Sequence, residues 1–277
     1  MRLLLLALGT SLAWEPLAPR PAPRPVVLCN LWDRCVPYAT ALAWQRQLLA
    51  ERVEALREGR PLPPDVVLLM QHPTVLTLGR KSTLDNVLGD APPFEVHRTE
   101  RGGEVTYHGP GQLILYPFLN LREYRQDAHW YMRSLEEVVI RVLQAQGIVA
   151  GREDGLTGVW VEDAKVCAMG VKLTRWLTMH GLALNVDVDL AHFGHIVPCG
   201  IADKSVTSIC QILADREMDT PLTAASPSAH VPDKAALEAT QEELLRQFAE
   251  VFQVELIAES PEAITARLVG AVEEVNV

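Results

Sequence analysis

Apolar residues recur with the spacing of an α-helix in four segments of this chain. Between Tyr38 and Glu58 they form one stripe opposite charged residues, and Gly59 follows as a typical helix end. A second stripe runs from Leu135 to Leu143. Helical patterns return at Lys234–Phe252 and Pro261–Val275. The sequence therefore predicts four helices, two of them near the C-terminus.

Short runs of apolar and β-branched residues lie between these helices and predict strands. The last three runs follow one another through tight polar turns, which is typical of an antiparallel meander rather than of βαβ units. Strands followed by segregated helices favour one α/β domain of the α+β type with a mixed sheet, over residues 26–277. The predicted strands are Asp65–Met70, Thr74–Leu78, Phe94–Thr99, Gln112–Leu119, Gly158–Val161, Lys165–Val171 and Trp176–Val186.

The first 25 residues lack this patterning. Arg2 precedes a Leu-rich stretch that resembles the start of a signal sequence but is too short to span a membrane. A tract of proline and arginine, residues 19–25, follows it and is typical of a transit region or linker. We expect residues 1–25 to be a targeting presequence that is removed on import into an organelle. Without such a presequence the expected location is the cytoplasm.

Composition and charge exclude several classes of protein. The 277 residues are 48% hydrophobic and 22% charged, as in ordinary globular proteins. The net charge of −10 would repel a nucleic acid backbone, so a nucleic acid is not an expected partner. We expect no membrane partner either. The five cysteines are odd in number, which fits a reduced compartment. Cys29 and Cys35 are predicted to be buried rather than disulfide-bonded.

The densest candidate for a functional site is the glycine-rich stretch from Arg101 to Gln112. Gly102 and Gly103 would allow backbone N–H groups to approach a ligand closely, and Arg101 adds a cation. The residue types fit a ligand-binding loop and, equally well, a glycine-rich hairpin with a buried His108. The stretch matches neither of the common glycine-rich phosphate-binding patterns.

Two further residues have side chains suited to covalent chemistry. Lys165 begins an apolar run in a chain with only five lysines, where burial or a neighbouring thiolate would tune it. Cys199 lies between Pro198 and Gly200, which places its thiol on a turn. The simpler interpretations are a lysine that extends from a turn to solvent and a small buried cysteine, and the second fits Cys167 better.

A metal site is disfavoured by the spacing of the possible ligands. His192, His195 and Cys199 resemble part of a zinc site, but no Cys-x-x-Cys or His-Glu-x-x-His pair accompanies them. No Gly-x-Ser-x-Gly motif of a serine hydrolase occurs either. We expect no metal.

Together these motifs resemble the octanoyltransferase (lipoyl/octanoyl transferase) family, over about Val26 to Leu213, and its plastid and cyanobacterial members in particular. The matching motifs occur in family order: Arg-Gly-Gly-x-x-Thr-Tyr-His-Gly-Pro-Gly-Gln at residues 101–112, Ala-Lys-Val-Cys-Ala-Met-Gly at 164–170, His-Gly-Leu-Ala-Leu-Asn-Val at 180–186 and Pro-Cys-Gly at 198–200. The resemblance implies the mixed-sheet catalytic fold of biotin and lipoate-protein ligases.

The resemblance also implies a reaction and a set of site residues. Family members move an octanoyl group from acyl carrier protein to a lysine of lipoyl domains, without a cofactor, and the implied catalytic residues are Cys199, as the acyl-thioester cysteine, and Lys165. The implied substrate-binding residues are Arg101, Gly102, Gly103, Glu104, Val105, Thr106, Tyr107, His108, Ala168, Met169, Gly170, Gly181, Leu182 and Ala183.

The implied partners are octanoyl-acyl carrier protein, the lipoyl domains of 2-oxo acid dehydrogenase complexes and the glycine cleavage H protein. Arg80, Arg98 or Arg101 would offer the acidic carrier protein a basic patch. A plastid is favoured over a mitochondrion. An ATP-dependent lipoate or biotin ligase of the same fold would have no need of Cys199, and a silent binder of lipoyl domains would have no need of Cys199 or Lys165.

Overall fold

Two β-sheets and four α-helices form the part of the chain that the structure, a computed structural model, describes. The described residues are 14–83, 86–88, 94–196, 204–217, 230–260, 262, 263 and 266. The helices are α1 (Tyr38–Glu58), α2 (Ala128–Ala145), α3 (Ile209–Glu217) and α4 (Lys234–Phe252). The strands are β1 (Arg24–Cys35), β2 (Val66–Gln71), β3 (Val75–Leu78), β4 (Glu95–Arg98), β5 (Val105–His108), β6 (Gln112–Phe118), β7 (Val159–Val161), β8 (Ala164–Thr174), β9 (Leu177–Asn185), β10 (Ser205–Val206) and β11 (Val254–Ala258).

The larger sheet is mixed, as the sequence predicted. Its strands lie in the order β10-β8-β9-β6-β2-β1-β11, and β7 pairs with β8. The strands β7, β8 and β9 form the predicted antiparallel meander, whereas β1 pairs in parallel with both β2 and β11. A smaller sheet of β4, β3 and β5 lies beside it.

Hydrophobic cores cover both faces of the larger sheet. On one face α2 and α4 pack through residues such as Leu135, Val139 and Phe248. On the other face α1 packs through Leu42, Trp44 and Leu48. Because side chains alternate between the two faces along each strand, the small residues of β8 and β9 lie on the α1 side of the sheet.

Helices α1 and α4 have the bounds that their periodicity predicts. The αL conformation of Gly59 ends α1, with its N–H donating to the carbonyl of Ala55. The side chain of Asp233 accepts hydrogen bonds from the N–H groups of Ala235 and Ala236 at the start of α4. The predicted helix Pro261–Val275 and most of the predicted loop Pro221–Pro232 lie outside the described residues.

Four elements have no counterpart in the sequence prediction: β1, β10, α3 and β11. Strand β1 pairs with β11, so that Arg24 lies opposite Val254, which is 230 positions away in the chain. Because such a pairing depends on distant neighbours, the local pattern alone does not indicate it. Cys35 differs as well, since it is exposed at the end of β1, and Cys29 is buried as predicted.

The N-terminal segment contacts the body of the domain from Trp14 onward. The indole N–H of Trp14 donates to Ser134 Oγ at 3.0 Å, and that of Trp130 donates to the carbonyl of Glu15 at 3.0 Å. The amide of Gln253 donates to the carbonyl of Leu17 at 3.0 Å. The segment 14–23 therefore packs on the domain, and β1 begins at Arg24 rather than after residue 25.

No helix in the described part of the chain is both long and apolar enough to cross a membrane.

Candidate active site

A cavity of about 390 Å³ lies between the glycine-rich loop and the α1 side of β8 and β9. Thirteen of the fourteen residues predicted to bind substrate line it, and Lys165 lines it as well. The predicted lining residues are Arg101, Gly102, Gly103, Glu104, Val105, Thr106, His108, Ala168, Met169, Gly170, Gly181, Leu182 and Ala183. The structure thus brings together motifs that are separated by up to 82 positions in the chain.

The guanidinium of Arg101 ties the glycine-rich loop to strand β3. It donates to the carbonyl of Thr77 at 2.7 Å, to Thr77 Oγ1 at 3.0 Å and to the carbonyl of Gly102 at 3.1 Å. Only 8% of Arg101 is exposed. Arg101 is therefore a poor candidate for a docking patch on the surface, contrary to the sequence prediction, whereas Arg80 and Arg98 are exposed.

Close backbone packing joins the loop to β8. The N–H of Gly102 donates to the carbonyl of Val171 at 3.0 Å. A Cβ atom on Gly170 would lie 2.8 Å from the carbonyl oxygen of Gly102 and 3.1 Å from Cδ of Arg101. The loop can lie this close to the sheet only because residue 170 is glycine.

Small residues keep the floor of the cavity open. Ala168 pairs with Ala183, and Gly170 pairs with Gly181, across the antiparallel ladder of β8 and β9. Large side chains at these positions would fill the space beneath the loop. The floor therefore offers a narrow and largely apolar surface, which suits a linear hydrocarbon chain.

Lys165 stands at one end of this floor. It is 6% exposed, and its ammonium lies 4.6 Å from the centre of the Trp160 ring, which is a cation–π geometry. Gly158 lies against the backbone of β8 beside the lysine stem, since a Cβ there would lie 2.5 Å from the carbonyl oxygen of Cys167 and 3.4 Å from Cε of Lys165. The lysine is thus buried in the site and does not extend from a turn to solvent.

A chain of buried hydrogen bonds runs from the loop to the segment that follows β10. Thr77 Oγ1 lies 3.3 Å from Nε2 of His108, whose Nδ1 lies 2.8 Å from Gln112 Oε1. The amide of Gln112 donates to Asn185 Oδ1 at 2.8 Å, and the amide of Asn185 donates to the carbonyl of Thr207 at 2.9 Å. His108 is therefore a fully bonded histidine, and its ring also lines the cavity.

These contacts define the tautomer of His108. Because the amide nitrogen of Gln112 donates to Asn185, its oxygen faces His108 and accepts a hydrogen bond from Nδ1–H. The other ring nitrogen then accepts from Thr77. Burial and the neighbouring His72 lower the pKa of His108 well below its ordinary value, so the ring is neutral.

Sequence reasoning missed an aromatic group beside the glycine-rich loop. Tyr38, Tyr116 and His180 line the cavity, and His72 lies behind them. The Nδ1 of His72 donates to the carbonyl of Val36 at 2.7 Å, and its Nε2 accepts from the hydroxyl of Tyr116 at 2.9 Å. Burial lowers the pKa of His72 to about 4. The visible signals for it were the Gln-His-Pro segment at residues 71–73 and the histidine that begins the motif at residues 180–186.

Tyr107 is the one predicted binding residue whose side chain does not line the cavity. Strand alternation turns it away from its neighbours Thr106 and His108. Its ring packs on Phe193 at 5.0 Å between centroids, and its hydroxyl lies 2.8 Å from Nδ1 of His192. Tyr107 therefore braces the smaller sheet and does not line the cavity.

The histidines of the possible zinc pattern make aromatic contacts. The ring of Phe94 lies 4.9 Å from that of His192 and 5.2 Å from that of His195, both in edge geometry. Within the described part of the chain, no three metal-binding side chains gather.

Cys199 lies outside the described residues, as do its neighbours Pro198 and Gly200. Among the described cysteines, Cys167 is fully buried, and burial raises the pKa of its thiol. Burial, together with Asp187 and Asp233, raises the pKa of Cys210 to about 11. Neither thiol is therefore set up to ionise near neutral pH.

Comparison with known proteins places these features in a family. A family model described as the lipoyl protein ligase A/B catalytic domain matches residues 37–226. A chloroplastic octanoyltransferase of Arabidopsis thaliana is 45% identical over 84% of this chain and 81% of its own length. An octanoyltransferase of Nostoc is 46% identical over 83% of this chain and 94% of its own length. The chain belongs to the octanoyltransferase family.

As a member of this family the protein is an acyltransferase of lipoate biosynthesis. Its fold is similar to that of a lipoate protein ligase from Thermoplasma acidophilum, with a TM-score of 0.58 and 14% identity, over 89% of this chain and 92% of that one. A lipoate-protein ligase A bound with ATP matches with a TM-score of 0.58 and 13% identity, over 89% of this chain and 94% of that one. The predicted mixed α/β fold is confirmed.

Proposed function

We propose that this protein transfers an octanoyl group from octanoyl-acyl carrier protein to a lysine of lipoyl domains, through a thioester on Cys199. The observation that carries the proposal is the cavity between the glycine-rich loop and the sheet, whose apolar floor of Ala168, Gly170 and Ala183 ends at the buried Lys165. An acyl chain would lie along this floor with its carbonyl near the lysine.

The reaction needs no external source of energy. The thiolate of Cys199 attacks the carbonyl carbon of the carrier thioester, and the carrier thiolate leaves and takes up a proton. The amine of the target lysine then attacks the enzyme thioester, loses a proton and forms an amide, while the thiol of Cys199 is released. An amide is more stable than a thioester, so the second step is favourable without ATP.

Lys165 would serve both steps. Its positive charge favours the thiolate form of a nearby cysteine. In the first step the Lys165 ammonium gives its proton to the departing carrier thiolate. The neutral lysine amine can then accept the proton that the incoming amine loses. Its burial supports this role, because charges interact more strongly where water is excluded.

The acidic carrier protein would dock beside the mouth of the cavity. Arg80 and Arg98 are exposed, and Lys81 is exposed and also lines the cavity. These cations offer local positive charge on a protein whose net charge is −10. The proposed acceptors are the lipoyl domains of 2-oxo acid dehydrogenase complexes and the glycine cleavage H protein.

The proposed location is a plastid. The similarity to a chloroplastic octanoyltransferase supports it, together with the Leu-rich and Pro/Arg-rich N-terminal composition. Mass spectrometry of the protein isolated from its own cells tests the proposal. A mature chain that retains Met1 would contradict it.

Transfer is tested by incubating the protein with octanoyl-acyl carrier protein and an apo lipoyl domain, with and without ATP and magnesium. We expect one octanoyl group on the lipoyl domain without ATP, and one on the enzyme when the acceptor is omitted. Cys199→Ala should abolish both adducts, and the matched control Cys167→Ala should retain both. A strict requirement for ATP would establish a ligase instead.

A further inference from the structure

His180 lines the cavity opposite Val171, six residues along β8 from Lys165. On β8 the lining residues run from Lys165 to Val171, and Val171 pairs with His180 on β9. Six residue steps along a strand span about 20 Å. An extended octanoyl chain spans about 10 Å, and the lysine side chain and the reacting atoms take up the remainder. An acyl chain that reacts near Lys165 would therefore end close to His180.

The backbone of His180 has an unusual conformation for a strand residue. Its φ angle is +63°, in the left-handed region that non-glycine residues rarely adopt. Its N–H donates to Gln45 Oε1 on helix α1 at 3.1 Å. Such strain persists only where surrounding contacts hold it, and it is common at ligand sites.

The ring of His180 is buried between the cavity and the surface. The residue is 1% exposed and lines the cavity beside Tyr116, with ring centroids 6.4 Å apart in edge geometry. On its other side Nε2 lies 3.9 Å from Oε2 of Glu100, whose carboxylate pairs with Arg46 at 2.8 Å. Glu100 and Arg46 are partly exposed, so the ring separates the cavity from a surface ion pair.

The imidazole is neutral at this position. Burial is the first cause that lowers its pKa to about 3, and the positive charges of Arg101, Lys172 and Arg46 add to the effect. A neutral ring carries no charge toward a hydrocarbon chain. If the ring were protonated, binding of an alkyl group beside it would cost free energy, because the positive charge would be buried against hydrocarbon.

We propose that His180 is the end wall of the acyl cavity and sets the length of the acyl chain that the enzyme accepts. The inference rests on the proposed function, because it requires an acyl group that reacts near Lys165. Removing the ring should extend the cavity toward Glu100 and admit a longer chain.

The experiment compares octanoyl and decanoyl thioesters of acyl carrier protein as donors. In His180→Asn and His180→Gly we expect the ratio of kcat/KM for decanoyl over octanoyl to rise about tenfold, the discrimination that an apolar pocket makes for small changes in chain length. Both replacements tolerate a positive φ, so the backbone can keep its conformation. An unchanged ratio in a folded variant would overturn the proposal.

Ile114→Ala is the matched control within the same cavity. Ile114 pairs with Ala183, three positions nearer to the lysine end of the floor. Its truncation widens the cavity without lengthening it, so the ratio should stay as in the unaltered protein. An equal rise in this variant would show that volume alone decides chain length and would refute the role of His180.

The unaltered protein supplies a test that depends neither on variants nor on turnover. A fatty acid that carries a diazirine at its terminal carbon is bound to the protein and activated by light. Fragment mass spectrometry then identifies the labelled residue. Labelling of His180, Tyr116 or Tyr38 supports the proposal, and labelling of Met132, Leu156 or Thr157 near the lysine end contradicts it. If the fatty acid labels His180 but the enzyme transfers no octanoyl group from a thioester, the result contradicts the proposed function. It would still support His180 as the end wall of the cavity.

Discussion

The ammonium of Lys165 lies 4.6 Å from the centre of the Trp160 ring, and both residues are almost fully buried. Trp160 is paired with Lys165 across β7 and β8, so the two backbones hold the contact in place. Lys204 approaches the same ring at 5.8 Å, and it also pairs with Glu153 and Asp163. The indole therefore positions the lysine at the end of the cavity.

Trp160→Leu should reduce kcat about tenfold and leave KM nearly unchanged, because the loss of a buried cation–π contact of about 1–2 kcal/mol frees the lysine to move. Trp160→Phe keeps an aromatic face and should retain most of the activity. Steady-state kinetics of both variants with octanoyl-acyl carrier protein checks this. Equal losses in the two variants would indicate a packing role only.

Gly170→Ala should weaken acyl binding, because the added methyl group would lie 2.8 Å from the carbonyl oxygen of Gly102 and must displace the loop. We expect KM for the octanoyl donor to rise by about tenfold or more. Gly151→Ala is the control, since a Cβ at Gly151 has no atom within 4 Å. A normal KM in a folded Gly170→Ala protein would refute the close approach of the loop.

Removal of residues 14–25 should destabilise the protein. The shorter form loses the packing of Trp14 and Leu17 on the core and the first pairs of β1 with β11. We expect its free energy of unfolding to be lower by about 2–3 kcal/mol, the value of one large apolar side chain. Urea unfolding of chains that begin at residue 14 and residue 26 measures the difference.

The same contacts alter the expected site of cleavage. A cut at about residue 25, as the composition indicates, would remove residues that pack on the domain. We therefore expect the mature protein to begin at or before Trp14. Sequencing of the N-terminus in the native organelle distinguishes the two positions.

Stability should decrease as the pH falls below about 6.5, the ordinary pKa of histidine in an unfolded chain. Burial lowers the pKa of His72 to about 4 and of His180 to about 3, and it lowers that of His108 well below its ordinary value. The unfolded state then binds protons that the folded state does not, so the stability present at neutral pH is lost on acidification.

Urea unfolding at about pH 7 and about pH 5.5 measures this loss. Each of the three histidines should contribute about 1 kcal/mol to the decrease. In His72→Asn the decrease in the free energy of unfolding should be smaller by about that amount, although the variant should be less stable than the unaltered protein at both pH values. An equal decrease in the variant would show that His72 is not neutral in the folded protein.

The local sequence pattern predicted the elements in which apolar residues recur at a regular spacing. Helix α4 has the predicted bounds because its periodicity and its capping residue Asp233 both act within a few positions. The meander of β7, β8 and β9 was predicted for the same reason, since tight turns specify antiparallel neighbours. Strand β1 was missed, because both of its partners lie far along the chain: Val27 pairs with Val66, and Arg24 pairs with Val254.

The sequence by itself also determined the candidate chemistry, through motifs whose residue types and order identify the family and name Lys165 and the glycine-rich loop. Only the tertiary structure decided how these residues meet. Strand register places Val171 opposite His180, and helix α1 brings Gln45 to its N–H, although nothing local relates these positions. Side chains that converge from distant segments depend on strand order and packing, which are non-local, so the end wall of the cavity and the reversed side chain of Tyr107 emerged only from the fold.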